Sequence, residues 1–302
     1  MHPALSIILF TTLSGAGLGL GLWFGVASYG ANNAGTVIGA GTAILLSSIG
    51  LVCSVFHLRR PLRAWRALSQ WRSSWLSREG ILAPTALFLL FVQAGALWLE
   101  SPFAPWLGLT AALLCLAAIL ATSMIYAQIR AVAAWCTPLT PFLFIAFAAA
   151  AGAFLACAVP GVPVFGSKGF AVAAIALNIA AWILQYSWWR RLDRVGTGTS
   201  TPETATGLGQ MGQVRLLEPP HTGTNYLLDE MGYVVARRHA AKLRLIALIL
   251  GCGFAILLLA VGIAVGHVPA FAIFAALLQL AGTGIARWLF FAQARHAVTL
   301  YY

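Results

Sequence analysis

The chain alternates between long apolar runs and short polar interruptions, and that alternation sets its architecture. Eight apolar windows, at roughly 5–29, 35–57, 80–99, 103–126, 139–160, 168–189, 242–266 and 269–292, reach the about 20 residues a helix needs to cross a hydrocarbon core. Within them the apolar residues follow neither a two-residue nor a strict 3.6-residue period, as expected of helices that meet lipid or other helices on every face. Breaks fall at turn-forming residues: Gly30-Ala31-Asn32-Asn33, Ser101-Pro102, Thr137-Pro138, Pro160-Gly161 and Val268-Pro269. The first window has no basic residue before it and is longer than the about 7–15 apolar residues of a signal peptide, so it is expected to remain as a first span. The pattern predicts an all-α polytopic membrane protein, one eight-helix unit over residues 1–302.

Composition removes the soluble alternative. Hydrophobic residues make up 61% of the chain and charged residues 8%, with mean hydropathy +0.88, whereas a soluble domain carries roughly 25% charged residues. Net charge is +11, but no basic stripe with interleaved aromatics speaks for nucleic acid. The cations report sidedness instead. With eight spans, both termini and the loops after spans 2, 4 and 6 share one side. That side holds Arg59, Arg60, Arg63, Arg66, Arg72, Arg78, Arg130, Arg190, Arg191, Arg194, Arg215, Arg237, Arg238, Lys242, Arg244, Arg287 and Arg295, and the other side holds Lys168 alone. By the positive-inside rule, that side is cytoplasmic. Five scattered cysteines without a C-x-x-C pair give no disulfide framework or metal site and read as small core hydrophobes.

Two polar segments lie outside the windows. Residues 59–76 form an amphipathic helix on a 3.6-residue wheel, with Arg59, Arg63, Arg66, Gln70 and Ser73 on one face and Leu62, Trp65, Leu68, Trp75 and Leu76 on the other. Such a helix lies in the membrane interface against lipid, its tryptophans at headgroup depth. The loop 190–241 begins with a Gly/Thr-rich linker and ends in 216–244, whose aromatic anchors and clustered charge suit a docking surface. Asn225, Tyr226, Arg237 and Arg238 are its candidate contacts.

The acidic residues all fall at window edges or in loops, which counts against an ion-coupled carrier, although a polytopic carrier of a small neutral or anionic solute remains the alternative. No two histidines share a helix at a spacing suited to haem, and GAGLGLGL (15–22), with no strand before it, reads as helix packing rather than a phosphate loop. His57 closes span 2 and Glu79 opens span 3 on the same side, so an imidazole and a carboxylate meet at similar depth. A quinone needs such a pair, because its redox chemistry moves protons as well as electrons. The same two residues fit an interfacial histidine and a helix-capping glutamate equally well.

The segments FHLRRPLRAWRAL (56–68), SWLSREG (74–80), IYAQIRAVAAWCTPLTP (125–141), GTNYLLDEMGYVVARRHAAKLR (223–244) and RWLFFAQARHAVTLYY (287–302) resemble the membrane-anchor subunit family of dimethyl sulfoxide reductase and its relatives, which include the anchor of a sulfite-oxidising molybdoenzyme. The resemblance implies an eight-helix anchor in the bacterial inner membrane, with no haem or metal of its own. It implies electron exchange between menaquinone or ubiquinone and a four-cluster ferredoxin-like iron–sulfur subunit, which serves a molybdopterin catalytic subunit. It places the family's quinone-site histidine and glutamate on His57 and Glu79. Arg60, Arg63 and Arg78 become weaker candidates for polarising the quinone oxygens or contacting the partner.

Overall fold

The computed structural model describes residues 4–28, 30–31, 33–56, 60–196, 198–199, 201–215, 217–218 and 239–297. Eight helices among them are long and apolar enough to cross a membrane: α1 (Leu5–Ala27), α2 (Asn33–Val55), α3 (Trp75–Trp98), α4 (Ala104–Ala127), α5 (Leu139–Ala158), α6 (Lys168–Val195), α7 (Ala240–Val265) and α8 (Val268–Ala292). This is a multi-pass, all-helical membrane protein.

Two helices outrun their hydropathy windows. At α3 the Ser74 hydroxyl accepts a hydrogen bond from the Ser77 backbone N–H at 3.4 Å, capping a helix that starts at Trp75 and carries Arg78 and Glu79 within it. At α6 the helix continues through Arg190, Arg191, Asp193 and Arg194 to Val195. Hydropathy reports the hydrocarbon boundary, whereas backbone hydrogen bonding ignores it. Glu79 is therefore not a flanking residue. It lies four residues into α3, about 6 Å along the axis from its start.

Helix α1 packs against α2, α4 and α5, and its glycines are the reason. A Cβ on Gly19 would lie 1.8 Å from the Ala148 carbonyl oxygen in α5, and one on Gly17 would lie 2.5 Å from the Ser47 backbone nitrogen in α2. Gly108 of α4 faces Gly25, where a Cβ would come within 2.3 Å of the Gly25 carbonyl. Small residues let the backbones touch, and lipid-immersed helices gain their association energy from that contact. The run 15–22 is thus a packing surface, as its composition predicts. Helix α1 also holds a π-helical turn, Phe10–Ser14, which locally re-aims its side chains.

The segment before α3 differs from its expectation. Pro61–Gln70 is a 3₁₀-helix with no buried residue, not an α-helix. With three residues per turn, side chains at i and i+3 stack, and the sequence has that period: Arg60, Arg63, Arg66, Ser69 and Arg72 in one row, Leu62, Trp65, Leu68 and Trp71 in another. The segment keeps an arginine row and an apolar row, set by a period of three.

Among the described residues, the arginine-bearing segments beside the ends of α2, α4, α6 and α8 lie at one end. The loop between α4 and α5 is clamped there. Trp188 Nε1 of α6 donates to the Ala134 carbonyl at 3.1 Å, Arg191 Nη1 donates to Ala133 at 2.9 Å, and Trp135 Nε1 donates to the Phe290 carbonyl of α8 at 3.0 Å. Just beyond α8, the Ala297 N–H donates to the Ala131 carbonyl at 2.8 Å.

Candidate functional site

At that end a cleft of about 440 Å³ opens between the start of α1 (Ile7, Phe10), the end of α2 (Leu51, Ser54, Val55), the 3₁₀ segment (Ala64, Trp65, Ala67, Leu68), the start of α3 (Leu76, Gly80, Pro84) and the end of α4 (Ile125, Tyr126). Its walls are almost wholly apolar. Their position follows from local chemistry. The Ser77 hydroxyl donates to the Ala67 carbonyl, tying the 3₁₀ segment to α3. Arg78 donates from Nε to the Trp71 carbonyl at 3.0 Å and from Nη2 to the Arg72 carbonyl at 2.8 Å, and its guanidinium lies 4.2 Å over the Trp75 ring. Leu68 seats on Gly80, where a Cβ would come within 2.8 Å of its terminal methyl. Pro84, four residues on, has no N–H to offer the Gly80 carbonyl, so an acceptor is left at the cleft wall.

Beneath the apolar walls lies a polar interior. Glu79 is 4% exposed, and the Thr122 hydroxyl bonds to its carboxylate as well as lying 3.0 Å from the Ala118 carbonyl. Because a hydroxyl both donates and accepts, this partner serves either protonation state of Glu79. Thr122 also lines a small inner chamber of about 10 Å³ with Thr11, Ser14, Phe144 and Arg287, room for about one water molecule. Arg287 is 4% exposed; its guanidinium lies 3.6 Å over Phe144, and its Nε has no partner among the described residues. Tyr126 lies within Coulombic range of both Glu79 and Arg287. Successive turns of α1 and α4 connect the spaces, with Phe10 and Tyr126 facing the cleft and Ser14 and Thr122 facing the chamber.

The structure sorts the residues the sequence singled out. Glu79 is buried and does not itself line the cleft, although Gly80 beside it does, and Arg78 is occupied with the carbonyls of Trp71 and Arg72. Arg60 and Arg63 are exposed on the outer row of the 3₁₀ segment and line no part of the cleft. Arg287, counted with the rim cations, is inside the bundle. His57 lies outside the described residues, as do Asn225, Tyr226, Arg237 and Arg238. His296 is half-buried, and burial lowers its pKa below the ordinary imidazole value, which favours the neutral ring.

Sequence reasoning missed Tyr126, Thr122 and the placement of Arg287. Arg287 carried a signal, a single charge in an apolar run, while Tyr126 and Thr122 carried none beyond their polarity. Among the described residues no group of three or more His, Cys, Asp or Glu side chains is placed to hold a metal ion.

A second hollow of about 480 Å³ lies at the same end, lined by Asp193, Arg194, Arg244, Gln293 and Arg295. Here Arg244 forms a bidentate pair with Asp193 at 2.7 and 2.8 Å and donates to Gln293 at 3.3 Å, linking α6, α7 and the segment after α8.

Eight membrane helices with an apolar cleft, a buried carboxylate and a clamped basic face define a membrane subunit built to hold other things in place. Residues 1–293 match the family profile of the DMSO reductase anchor subunit (DmsC). The chain belongs to that family, and it is the membrane anchor of a molybdoenzyme complex. It is also 34% identical to a sulfite dehydrogenase subunit of Allochromatium vinosum, over 331 aligned positions that cover all of this chain and 99% of the relative. No solved structure matches the chain.

Proposed function

We propose that this anchor exchanges electrons between membrane quinone and an iron–sulfur subunit docked on its arginine-rich end, and that the cleft beside Glu79 is the quinone site. The observation that carries this reading is the pairing of an apolar cleft of about 440 Å³ with a buried carboxylate one residue from its wall. The volume lies in the range of small-molecule sites, whose walls are mostly apolar with a few placed polar groups. A bound quinone supplies two-electron, two-proton redox chemistry. The chain supplies the rest: Trp65, Leu68 and Phe10 exclude water and hold the ring, and Glu79, with Thr122 as its hydroxyl partner in either protonation state, holds a proton. His57 directly follows Phe56 at the end of α2 and is proposed to hydrogen-bond a quinone oxygen.

The partner is proposed to be a ferredoxin-like four-cluster subunit that connects to a molybdopterin subunit. The docking end is proposed to be cytoplasmic and the membrane the bacterial inner membrane, on the strength of sixteen cations, with the buried Arg287 left out, against one. The likeness to a sulfite dehydrogenase subunit favours the sulfite-oxidising branch, in which electrons enter the quinone. Quinone type, menaquinone or ubiquinone, is left to reconstitution.

The test uses the assembled complex. Glu79→Gln keeps a hydrogen-bonding side chain of the same size, so quinone-coupled turnover should collapse while reduction of a soluble dye by the catalytic subunits stays at the parental rate. Parental quinone turnover in this variant would overturn the assignment.

A further inference from the structure

A quinone ring held only by apolar walls would lose the hydrogen bonds its oxygens make at the membrane surface, which costs affinity unless the cleft returns them. Three described side chains lining the cleft carry a donor: Ser54, Trp65 and Tyr126. The Ser54 hydroxyl already donates to the Leu51 carbonyl at 2.7 Å. Trp65 sits on the outer 3₁₀ segment and is 67% exposed, so its indole is free to turn to the headgroups. Tyr126 differs on both counts. Its ring is fixed by four others, with centroids 5.6 Å from Trp135, 5.7 Å from Phe144, 5.8 Å from Phe290 and 5.3 Å from Phe291. Such a cage leaves the ring one orientation, and among the described residues none takes a hydrogen bond from its hydroxyl.

We propose that Tyr126 is a quinone-binding residue of this cleft, its phenol hydroxyl donating a hydrogen bond to a quinone oxygen. The assignment rests on the quinone reading of the cleft and adds the donor that reading lacks among the described residues. The clamped loop, through Trp135, and the last turn of α8, through Phe290 and Phe291, thus set the donor's position.

The experiment is Tyr126→Phe in the assembled complex, with a short-tailed quinone as the redox partner. The substitution keeps the ring and its four aromatic contacts and removes one oxygen with no described hydrogen-bond partner, so folding is preserved. The expected result is a KM for the quinone raised about three- to tenfold, the loss of one net hydrogen bond, with dye-coupled turnover unchanged. With carbonyl-labelled quinone bound, one C=O stretch should also move to the frequency of the free carbonyl. An unchanged KM and spectrum would overturn the proposal. If Glu79→Gln still suppresses quinone turnover in that case, the cleft reading stands and only Tyr126 is removed from it. If Glu79→Gln and a cleft-filling Ala67→Trp are both silent as well, the cleft reading itself has failed and takes the proposal with it.

Discussion

Two hollows of nearly equal size open at the same end of this bundle, about 440 and 480 Å³, and their walls are opposite in character. The first is apolar, with two buried ionisable groups, Glu79 and Arg287, just behind its walls and not paired with each other. The second is polar, and its carboxylate is satisfied by a two-pronged arginine at 2.7 and 2.8 Å. Volume therefore does not identify a site here. A paired charge near water has little reason to react, whereas an isolated charge in a low-dielectric interior is costly and persists where something uses it. Under the proposed function the oily ligand belongs to the first hollow, while the second carries a cross-link between helices.

The strongest way to break that contrast is Glu79→Gln. A positioned acid–base group is worth about 10²–10⁴ in rate, so quinone-coupled turnover should fall at least about 100-fold, the lower end of that range. Dye-coupled turnover measured on the same preparation checks that the complex is intact. Next in size is Ala67→Trp. Ala67 lines the cleft on the 3₁₀ segment, where an indole would occupy the space and face no packed core behind it. Quinone KM should rise about tenfold, equivalent to about 1.4 kcal/mol of lost binding, with thermal stability unchanged. A large fall in stability without a change in KM would mean the cleft is ordinary packing.

The sequence made the eight crossings legible because hydrocarbon thickness dictates their length. Glu79's depth was not legible in the same way. A hydropathy window stops at Arg78 and Glu79, although Ser74 caps the helix before them and the backbone continues. The three-residue row from Arg60 to Arg72 was written in the sequence, but a 3.6-residue wheel blurs it, and only the backbone distinguishes the two helices. Tyr126 and Arg287 lie 161 positions apart in the chain and come within Coulombic range through the packing of α1, α4 and α8 against α5. No local pattern encodes such proximity. The family resemblance singled out Glu79 through its motif and was silent on Thr122, which bonds to the carboxylate, and on Tyr126.

The smallest expected effect sharpens the other half of the comparison. Arg244→Gln removes both prongs of the bridge to Asp193, whose side chain is 57% exposed while that of Arg244 is 19% exposed. Water can solvate the freed carboxylate, so the loss is that of a surface pair, about 0.2–1 kcal/mol, and the thermal midpoint of the purified complex should drop by about 2–4 °C at most. Because the bridge ties α6 to α7 and not to the cleft, quinone KM and turnover should match the parent. Were Arg244→Gln to raise quinone KM as far as Ala67→Trp does, the two hollows would belong to one functional unit. The polar hollow would then have to be read as the water-side mouth of the quinone site, and the bridge as its gate.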